Sequence, residues 1–219
     1  MHVVDQLNEF RNALKRHAAT YEVSLVADTL DELAKYFELL NTWNTRLHLV
    51  APTSPREFAT RHILESLMLL NRLPQAASVA DIGSGAGLPI IPCLIARPDL
   101  RAVLIEASPK KAVFLNEALR GIASATVSGG IGRVRVIAER FENIPAPEVD
   151  YITCRALERF EEMLPTLLAW APASSTLLLF GGEGLERRIE DSGLGSERTP
   201  IPNSERRFLF VVNAVASDA

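Results

Sequence analysis

Cysteine and long hydrophobic runs are the two features that are scarcest in this 219-residue sequence. The two cysteines, Cys93 and Cys154, lie far apart and outside any CxxC motif or Cys/His cluster. Neither a zinc site nor a disulfide framework is predicted, and we expect no bound metal. No apolar run approaches the ~18 residues of a membrane-spanning helix, and the N-terminus lacks the apolar core of a signal peptide. We therefore expect a cytoplasmic protein without a membrane partner.

The sequence also lacks an excess of positive charge. Its formal net charge is -4 and its pI is about 5.7. Such a chain has no overall cationic field with which to hold long duplex DNA or an anionic membrane, so any contact with nucleic acid must use a local face. Hydrophobic residues make up 47% of the sequence and charged residues 23%. These values are typical of globular proteins and exclude the disordered and collagen-like classes.

The first 75 residues have the apolar spacing of amphipathic helices. Helices are predicted over 3–19 and 27–43, where leucines and phenylalanines recur at helical intervals. Ser54 is a good N-cap residue and Pro55 suits the first helical position, so a third helix is predicted to begin there and to run to Asn71. Residues 1–75 are thus predicted to form an N-terminal helical cap.

From residue 76 onward, short β-like runs alternate with helical stretches, which is the pattern of an open, doubly wound and mostly parallel α/β sheet. The last strand has no helical crossover before it, so it is predicted to pair antiparallel. The Gly/Ser-rich segment 121–132 is predicted to be a loop, and residues 76–219 are the second predicted domain. The predicted strands are 77–82, 101–106, 133–137, 149–153, 174–180 and 206–214, and the predicted helices are about 87–97, 109–120, 157–170 and 183–190.

The strongest local signal is a strand that runs directly into three alternate glycines and an apolar helix, Asp81-x-Gly83-x-Gly85-x-Gly87. Alternate glycines permit a sharp backbone turn and let a ligand touch the main chain. The spacing differs from the GxGxxG of dinucleotide enzymes, and the GxxxxGK[ST] of a P-loop is absent. The loop is predicted to bind a ligand, and a nicotinamide-dependent oxidoreductase stays an alternative at this point.

Side chains at the ends of the following strands indicate a nucleoside. Glu106 ends the strand after the glycine loop, where a carboxylate can accept hydrogen bonds from both hydroxyls of a ribose. This suits NAD and S-adenosylmethionine equally. Phe141 and Glu142 follow the third strand, where they can meet an adenine ring, and Arg155 ends the fourth strand. All these strand ends are predicted to face one crevice.

Six segments occur along the chain in a characteristic order: YFELLNTWNTRLHLVAP (36–52), RHILESL (61–67), DIGSGAGLPIIP (81–92), LIEASPKKAVFL (104–115), AERFENI (138–144) and TCRAL (153–157). They resemble the RsmG/GidB family of small-subunit ribosomal RNA guanine-N7 methyltransferases. The DxGxGxG motif is shared by most Rossmann-type methyltransferases and indicates only the cofactor class. The RHxx[DE]SL segment and the RAL after the fourth strand are more specific.

The resemblance implies a Rossmann-like class I methyltransferase fold and S-adenosyl-L-methionine as the cofactor. It implies transfer of the methyl group to N7 of a guanine in small-subunit ribosomal RNA, either naked or in the ribosomal particle. We also expect a monomer and, from the charge, no DNA partner. The implied cofactor-binding residues are Asp81, Gly83, Gly85, Gly87, Leu88, Glu106, Phe141, Glu142 and Arg155. The implied catalytic or substrate-side residues are Asn44, Arg61, His62, Glu65, Ser66 and Arg155.

Four residues depart from the family pattern. His48 and Val50 stand where Asn and Thr are usual, Ile90 replaces a Gly, and Gly181 stands where a Lys is expected. These changes concern the expected RNA side more than the cofactor side. Two alternatives therefore stay open: a diverged S-adenosylmethionine-dependent methyltransferase with another acceptor, and a non-catalytic paralogue that binds cofactor or RNA.

Overall fold

The computed structural model of the protein describes residues 3–122, 133–155 and 160–213. Residues 123–132 of the predicted Gly/Ser-rich loop and the first three residues of the helix predicted over 157–170 lie outside the described residues. Within the described ranges, no helix is both long and apolar enough to cross a membrane. The same ranges contain no group of three or more His, Cys, Asp or Glu side chains that could hold a metal ion.

The N-terminal third is helical, as predicted. Phe10 of the first helix stacks on Phe37 of the second with ring centroids 4.5 Å apart, and Phe58 of the third segment packs against both rings. The backbone N–H of Glu57 donates to Ser54 Oγ at 3.1 Å, which confirms the predicted N-cap. The elements are α1 (Val3–His17), a 3₁₀ turn (Ala18–Tyr21), α2 (Ala27–Leu47), α3 (Pro55–Phe58), a π-helical stretch (Ala59–Leu64), α4 (Glu65–Leu67) and a second 3₁₀ turn (Met68–Asn71).

The π-helical stretch lies inside the third helix that the sequence predicted. A π turn contains more residues than an α turn, is uncommon, and is frequently found at functional sites. Here it carries Arg61 and His62, two of the predicted substrate-side residues. The helix is therefore widened at the start of the RHILESL segment.

The main sheet has seven strands in the order β3-β2-β1-β4-β5-β7-β6. The first five strands pair in parallel, whereas β7 is antiparallel to both of its neighbours, as predicted for the last strand. The strands are β1 (Ser78–Ile82), β2 (Arg101–Ile105), β3 (Val134–Ile137), β4 (Tyr151–Arg155), β5 (Thr176–Gly181), β6 (Ser196–Pro200) and β7 (Phe208–Asn213). The helices are α5 (Ile90–Ala96), α6 (Pro109–Gly121), α7 (Phe160–Trp170) and α8 (Glu183–Asp191), with a 3₁₀ turn at Phe141–Asn143.

Strand β6 was not predicted from the sequence. It reads SERTP, and four of its five residues are exposed. An edge strand without a buried face shows no alternation of apolar and polar residues, and that alternation is the signal on which strand prediction rests. Its antiparallel pairing with β7 means that the chain reverses direction between Pro200 and Phe208, before the last strand.

Both faces of the sheet are covered, as expected for a largely parallel sheet. One apolar cluster joins the N-terminal helices, α5 and α6 to one face, and contains both Phe10 and Leu104. The other lies between the opposite face and helices α7 and α8. The first cluster runs across residue 75, and the division into domains 1–75 and 76–219 stays a prediction. The strand order reverses between β1 and β4, so a ligand crevice is expected at the carboxyl ends of these strands.

Candidate active site

A cavity of about 1010 Å³ lies at the carboxyl ends of the parallel strands. It opens at the switch point between β1 and β4, where the topology predicts a ligand. Ten predicted site residues line it: Arg61, His62, Glu65, Gly83, Gly85, Leu88, Glu106, Phe141, Glu142 and Arg155. Among the described residues, the predicted residues that do not line it are Asn44, Ser66, Asp81 and Gly87. Most of the predicted site residues therefore lie in the cavity wall, although the wall also contains residues that the sequence did not identify.

Two glycines of the loop after β1 serve different purposes. Gly85 has a φ of 53° and lines the cavity, and among the described residues a Cβ built there meets only the carbonyl oxygen of Gly83, at 3.6 Å. At Gly87, with a φ of 80°, a Cβ would lie 2.3 Å from Cδ1 of Ile91. Both positions lie in the left-handed region that favours glycine. Gly85 thus leaves space for a ligand, whereas Gly87 lets α5 pack closely beneath the loop.

Glu106 links the glycine loop to the end of β2. Its carboxylate accepts hydrogen bonds from the backbone N–H groups of Gly85 and Ser108, both at 2.8 Å. Glu106 is only 7% exposed, yet it lines the cavity. An ionised carboxylate has about four acceptor positions, so two remain for a ligand's hydroxyl groups. The residue both holds the loop in place and keeps acceptor capacity towards the cavity.

Asp81 lies beneath the loop and does not reach the cavity wall. It is 1% exposed, and no described residue donates a hydrogen bond to either carboxylate oxygen. Ser84 Oγ donates instead to the backbone carbonyl of Asp81 at 3.0 Å. Burial raises the pKa of the Asp81 carboxyl to about 8. The first residue of the motif is thus a buried acid under the loop.

The residues after β3 form one end of the cavity. Phe141 is buried and packs edge-on against Trp170, with ring centroids 5.4 Å apart. Glu142 pairs with Arg140 at 2.6 Å. An apolar ring beside an acidic side chain at the end of β3 can pack against a purine and accept from an amino group. This is the environment that the sequence predicted for adenine.

Arg155 connects the sheet to the helical cap. Arg155 is the last residue of β4, and its side chain, 13% exposed, reaches the π-helical stretch. Nη1 donates to the carbonyl of His62 and to Ser66 Oγ, both at 3.3 Å. Nη2 donates to the carbonyl of Arg61 and, at 3.0 Å, to Glu65 Oε2. The π-helical stretch and α4, residues 59–67, form what we call the substrate-side helix. Because all four terminal N–H groups have partners within the protein, Arg155 fixes this helix against the sheet.

Glu65 holds a second arginine that the sequence did not identify as a site residue. Arg207 Nη1 lies 2.8 Å from the same Oε2 atom that Arg155 contacts. Burial raises the pKa of the Glu65 carboxyl, and the charges of both arginines oppose that effect. Arg207 reaches the cavity because β7 runs antiparallel to β5, which brings the start of β7 beside the end of β5 at Gly181. The signal for it was an arginine directly before a buried, antiparallel strand.

His62 lies next to three guanidinium groups. Burial, together with the positive charges of Arg155, Arg61 and Arg207, lowers the pKa of His62 to about 3. The imidazole is therefore neutral at pH 7. It lines the cavity and packs against Phe58 with ring centroids 5.1 Å apart. A neutral imidazole there offers one donor and one acceptor and adds no charge.

Two side chains on α2, those of Asn44 and Tyr36, hydrogen-bond to backbone groups of loops that line the cavity. The Asn44 amide donates to the carbonyl of Val50 and accepts from its N–H, both at 3.0 Å, so it shapes a loop that lines the cavity without lining it itself. The Tyr36 hydroxyl donates to the carbonyl of Ala86 in the glycine loop at 2.5 Å. Tyr36 lies in the YFELLNTWNTRLHLVAP segment, and the sequence alone predicts no role for it. The cap therefore supports both sides of the cavity.

The four departures from the family pattern have structural explanations. His48 ends α2 in the left-handed region with a φ of 47°, where Asn and His are both enriched. Val50 uses its backbone in the bonds to Asn44, so a Thr is not needed for them. Ile90 is fully buried and packs in the core. At Gly181, a Cβ would lie 2.4 Å from Cδ2 of Leu185, so the neighbouring helix occupies the space of a larger side chain.

Known proteins with similar sequences agree with this geometry. Residues 29–192 match the family described as GidB, rRNA small subunit methyltransferase G. This chain belongs to that family. A protein of Sorangium cellulosum named ribosomal RNA small subunit methyltransferase G is 35% identical over 82% of this chain and 76% of its own length. A protein of the same name from Anaeromyxobacter is 30% identical over 85% of this chain and 86% of its own.

A third relative of that name, from Xanthomonas campestris, is 41% identical, but the match spans 62% of this chain and 60% of the relative. As a member of the family, the chain is a methyltransferase that uses S-adenosylmethionine. This decides against the nicotinamide-dependent alternative.

Solved structures agree with the class I methyltransferase fold. Mitomycin 7-O-methyltransferase MmcR superposes with a TM-score of 0.56 over 97% of this chain and 69% of its own, at 16% identity. TYW2 of P. horikoshii, in complex with MeSAdo, superposes with a TM-score of 0.51 over 69% of this chain and 61% of its own, also at 16% identity. At these identities the likeness shows the fold alone.

Proposed function

We propose that this protein transfers the methyl group of S-adenosylmethionine to N7 of a guanine in small-subunit ribosomal RNA. The observation that carries the proposal is the composition of the cavity wall. One half is a glycine loop with a strand-end carboxylate, and the other half is closed by the family's RHILESL segment. Family membership and the names of the relatives support the RNA acceptor.

The residues of the first half suit this cofactor. Gly83, Gly85 and Leu88 would surround the amino-acid part, and Glu106 would accept hydrogen bonds from the ribose hydroxyls. Phe141 and Glu142 would hold the adenine. The free acceptor positions of Glu106 and the open space above Gly85 are what the fit requires. When bound, the cofactor supplies an electrophilic methyl group on a sulfonium centre.

The protein's own task in the reaction is positioning. Guanine N7 already carries a lone pair, so no side chain has to remove a proton before the methyl group is transferred. Holding two reactants in line can contribute roughly 7–11 kcal/mol to lowering a barrier. Arg155 fixes the substrate-side helix, and neutral His62 adds no further charge near the positive charge that arrives on the base. The site therefore needs rigidity more than a general base.

The proposed RNA contact is local. The protein's net charge is -4, and of the arginines near the cavity, Arg61 is half exposed while Arg207 is one-third exposed. Binding to naked RNA should be weak and sensitive to salt, because few phosphates can be neutralised. Double-stranded RNA hides N7 in a deep, narrow groove, so the target is a splayed base. We further propose a cytoplasmic monomer that acts on the ribosomal particle and not on DNA.

A methyl-transfer assay tests the proposal. Small subunits that lack the modification are incubated with the protein and methyl-labelled cofactor, and the labelled nucleotide is mapped. Label on N7 of one guanine is expected. Label on another atom or on a small molecule would favour a diverged acceptor, and binding of S-adenosylhomocysteine without any transfer would favour a non-catalytic paralogue.

A further inference from the structure

Glu65 lines the cavity, and one oxygen of its carboxylate has no hydrogen-bond partner among the described residues. Glu65 is 1% exposed, and no residue in the described parts of the chain donates a hydrogen bond to its Oε1 atom. Both arginine contacts go to the other oxygen, Oε2. Glu65 lines the cavity beside Arg61 and His62, on the substrate side. The carboxylate is therefore anchored through Oε2, whereas Oε1 is buried and unpaired among the described residues.

Stability does not explain this asymmetry. A buried acceptor that lacks a hydrogen bond costs about 1–3 kcal/mol, and more when it is charged. Arg155 and Arg207 would hold the helix equally well if they were shared between both oxygens. Instead, their convergence on Oε2 fixes the orientation of the carboxylate plane. A fixed, unsatisfied acceptor on a residue that lines a cavity is suited to a ligand that donates hydrogen bonds.

A carboxylate accepts and never donates, so the ligand's edge must carry N–H groups. Guanine carries N1–H and a 2-amino group on the edge opposite N7, whereas adenine has an acceptor at N1. A carboxylate facing that edge would bind guanine and repel adenine. It would also leave N7 free on the far side of the ring.

We infer that Glu65 is the residue that selects guanine, with Oε1 accepting hydrogen bonds from N1–H and the 2-amino group of the target base. The inference rests on the proposed function. Arg155 and Arg207 act as positioning residues, since they hold Glu65 in orientation and their charges oppose the rise of its pKa on burial. His62, neutral beside it, adds no charge that would compete for the carboxylate.

The competing occupant of Oε1 is the ammonium group of the cofactor's amino-acid part, which is also a donor. The two occupants predict different losses when Glu65 is replaced by glutamine. The glutamine has the same shape and can still accept from the arginines through its amide oxygen, but its amide N–H₂ then faces the guanine donors. Guanine selection would be lost without a change in cofactor affinity. An ammonium partner would instead weaken the binding of cofactor.

The test is a two-by-two comparison on RNA. The target guanine, once mapped, is replaced by inosine, which lacks the 2-amino group, and methylation is measured as kcat/KM with the wild-type protein and with Glu65→Gln. A hydrogen bond to a charged group contributes about 1.5–3 kcal/mol, so the wild type should prefer guanine over inosine by about 10- to 100-fold. In Glu65→Gln, the preference should fall to near onefold. Glu117→Gln, an exposed acid on α6, should retain the wild-type preference.

Three results would contradict the inference or the proposed function. If Glu65→Gln slows both substrates by the same factor and keeps the preference, Glu65 is only structural and the inference is wrong. If calorimetry shows that Glu65→Gln weakens S-adenosylhomocysteine by tenfold or more, Oε1 faces the cofactor and the inference is likewise wrong. If the wild-type protein does not methylate guanine N7 at all, the proposed function itself fails, and that result is separate from both.

Discussion

The two halves of the cavity are built from different kinds of groups. In the cofactor half, the backbone N–H of Gly85 bonds to Glu106, 21 positions along the chain, and the shape depends on left-handed glycines. In the substrate half, Glu65 is joined to Arg155 and Arg207 across 90 and 142 positions, through side chains alone. The first half should be sensitive to backbone shape, and the second to the loss of single charges.

The largest expected effect is on the side-chain half. Arg155→Met removes one partner from a buried carboxylate and all four bonds between β4 and the substrate-side helix. Breaking a buried ion pair in this way costs about 3–5 kcal/mol of unfolding free energy. Urea unfolding measures it. Arg198→Met, which removes a half-exposed cation paired with Glu186, is the control and should cost under about 1 kcal/mol.

A loss below about 1 kcal/mol in Arg155→Met would contradict the view that this arginine ties the two elements together. It would also show that the substrate half does not depend on its side-chain ion pairs. Measuring the unfolding of Arg207→Met alongside separates the two contacts on Glu65, and we expect a smaller loss there because Arg207 is more exposed.

The next effect belongs to the backbone half. In Gly85→Val, a β-branched residue must adopt a φ of 53° and its side chain enters the cavity. Backbone strain of this kind costs about 1–3 kcal/mol, so the affinity for S-adenosylhomocysteine should fall by about 100-fold in calorimetry. Gly121→Ala is the matched control, because a Cβ there meets no atom of the described residues within 4 Å. Retained affinity in Gly85→Val would mean that the ligand does not approach the loop.

The same difference between the halves explains what the sequence could predict. The cofactor half is local: a strand, a glycine motif and an acid at the next strand end suffice to identify Gly83, Gly85 and Glu106. Arg207 could not be identified in this way, because its place depends on the pairing of β5 with β7.

Local pattern also has limits within the glycine motif and at the sheet edge. Asp81 carries the motif's acid, yet packing decides that its side chain lies beneath the loop rather than in the cavity wall. Strand β6 was missed because its residues are exposed and show no alternation of apolar and polar positions. The fold class and the antiparallel last strand follow from sequence pattern, whereas side-chain direction and edge pairing depend on contacts that sequence spacing does not contain.

A smaller effect compares two buried titratable groups, one from each half. The pKa of Asp81 rises from 3.8 to about 8 on folding, so between these values only the folded state holds the proton and stability falls as pH increases. The pKa of His62 falls from 6.5 to about 3, so between these values only the unfolded state gains the proton and stability falls as pH decreases. Each slope is at most ~1.4 kcal/mol per pH unit.

The two slopes oppose each other between pH 4 and 6.5, and only that of Asp81 remains between pH 6.5 and 8. In urea unfolding, the wild-type protein should therefore lose stability as the pH rises from 6.5 to 8, whereas Asp81→Asn should not. His62→Gln should lack the histidine's contribution to the fall in stability as the pH decreases below 6.5. Parallel pH profiles for the wild type and Asp81→Asn would show that the Asp81 carboxyl is ionised at neutral pH.

The smallest effect concerns the one hydrogen bond described here that joins the helical cap to the glycine loop. Tyr36→Phe removes the donor to the carbonyl of Ala86 and leaves the packing of the ring in place. A single hydrogen bond contributes about 0.5–1.5 kcal/mol, so the unfolding free energy should fall by about that amount and the affinity for S-adenosylhomocysteine by less than about tenfold. If the affinity falls as far as in Gly85→Val, the loop depends on the cap for its shape, and the backbone half is not the self-contained unit that its local contacts suggest.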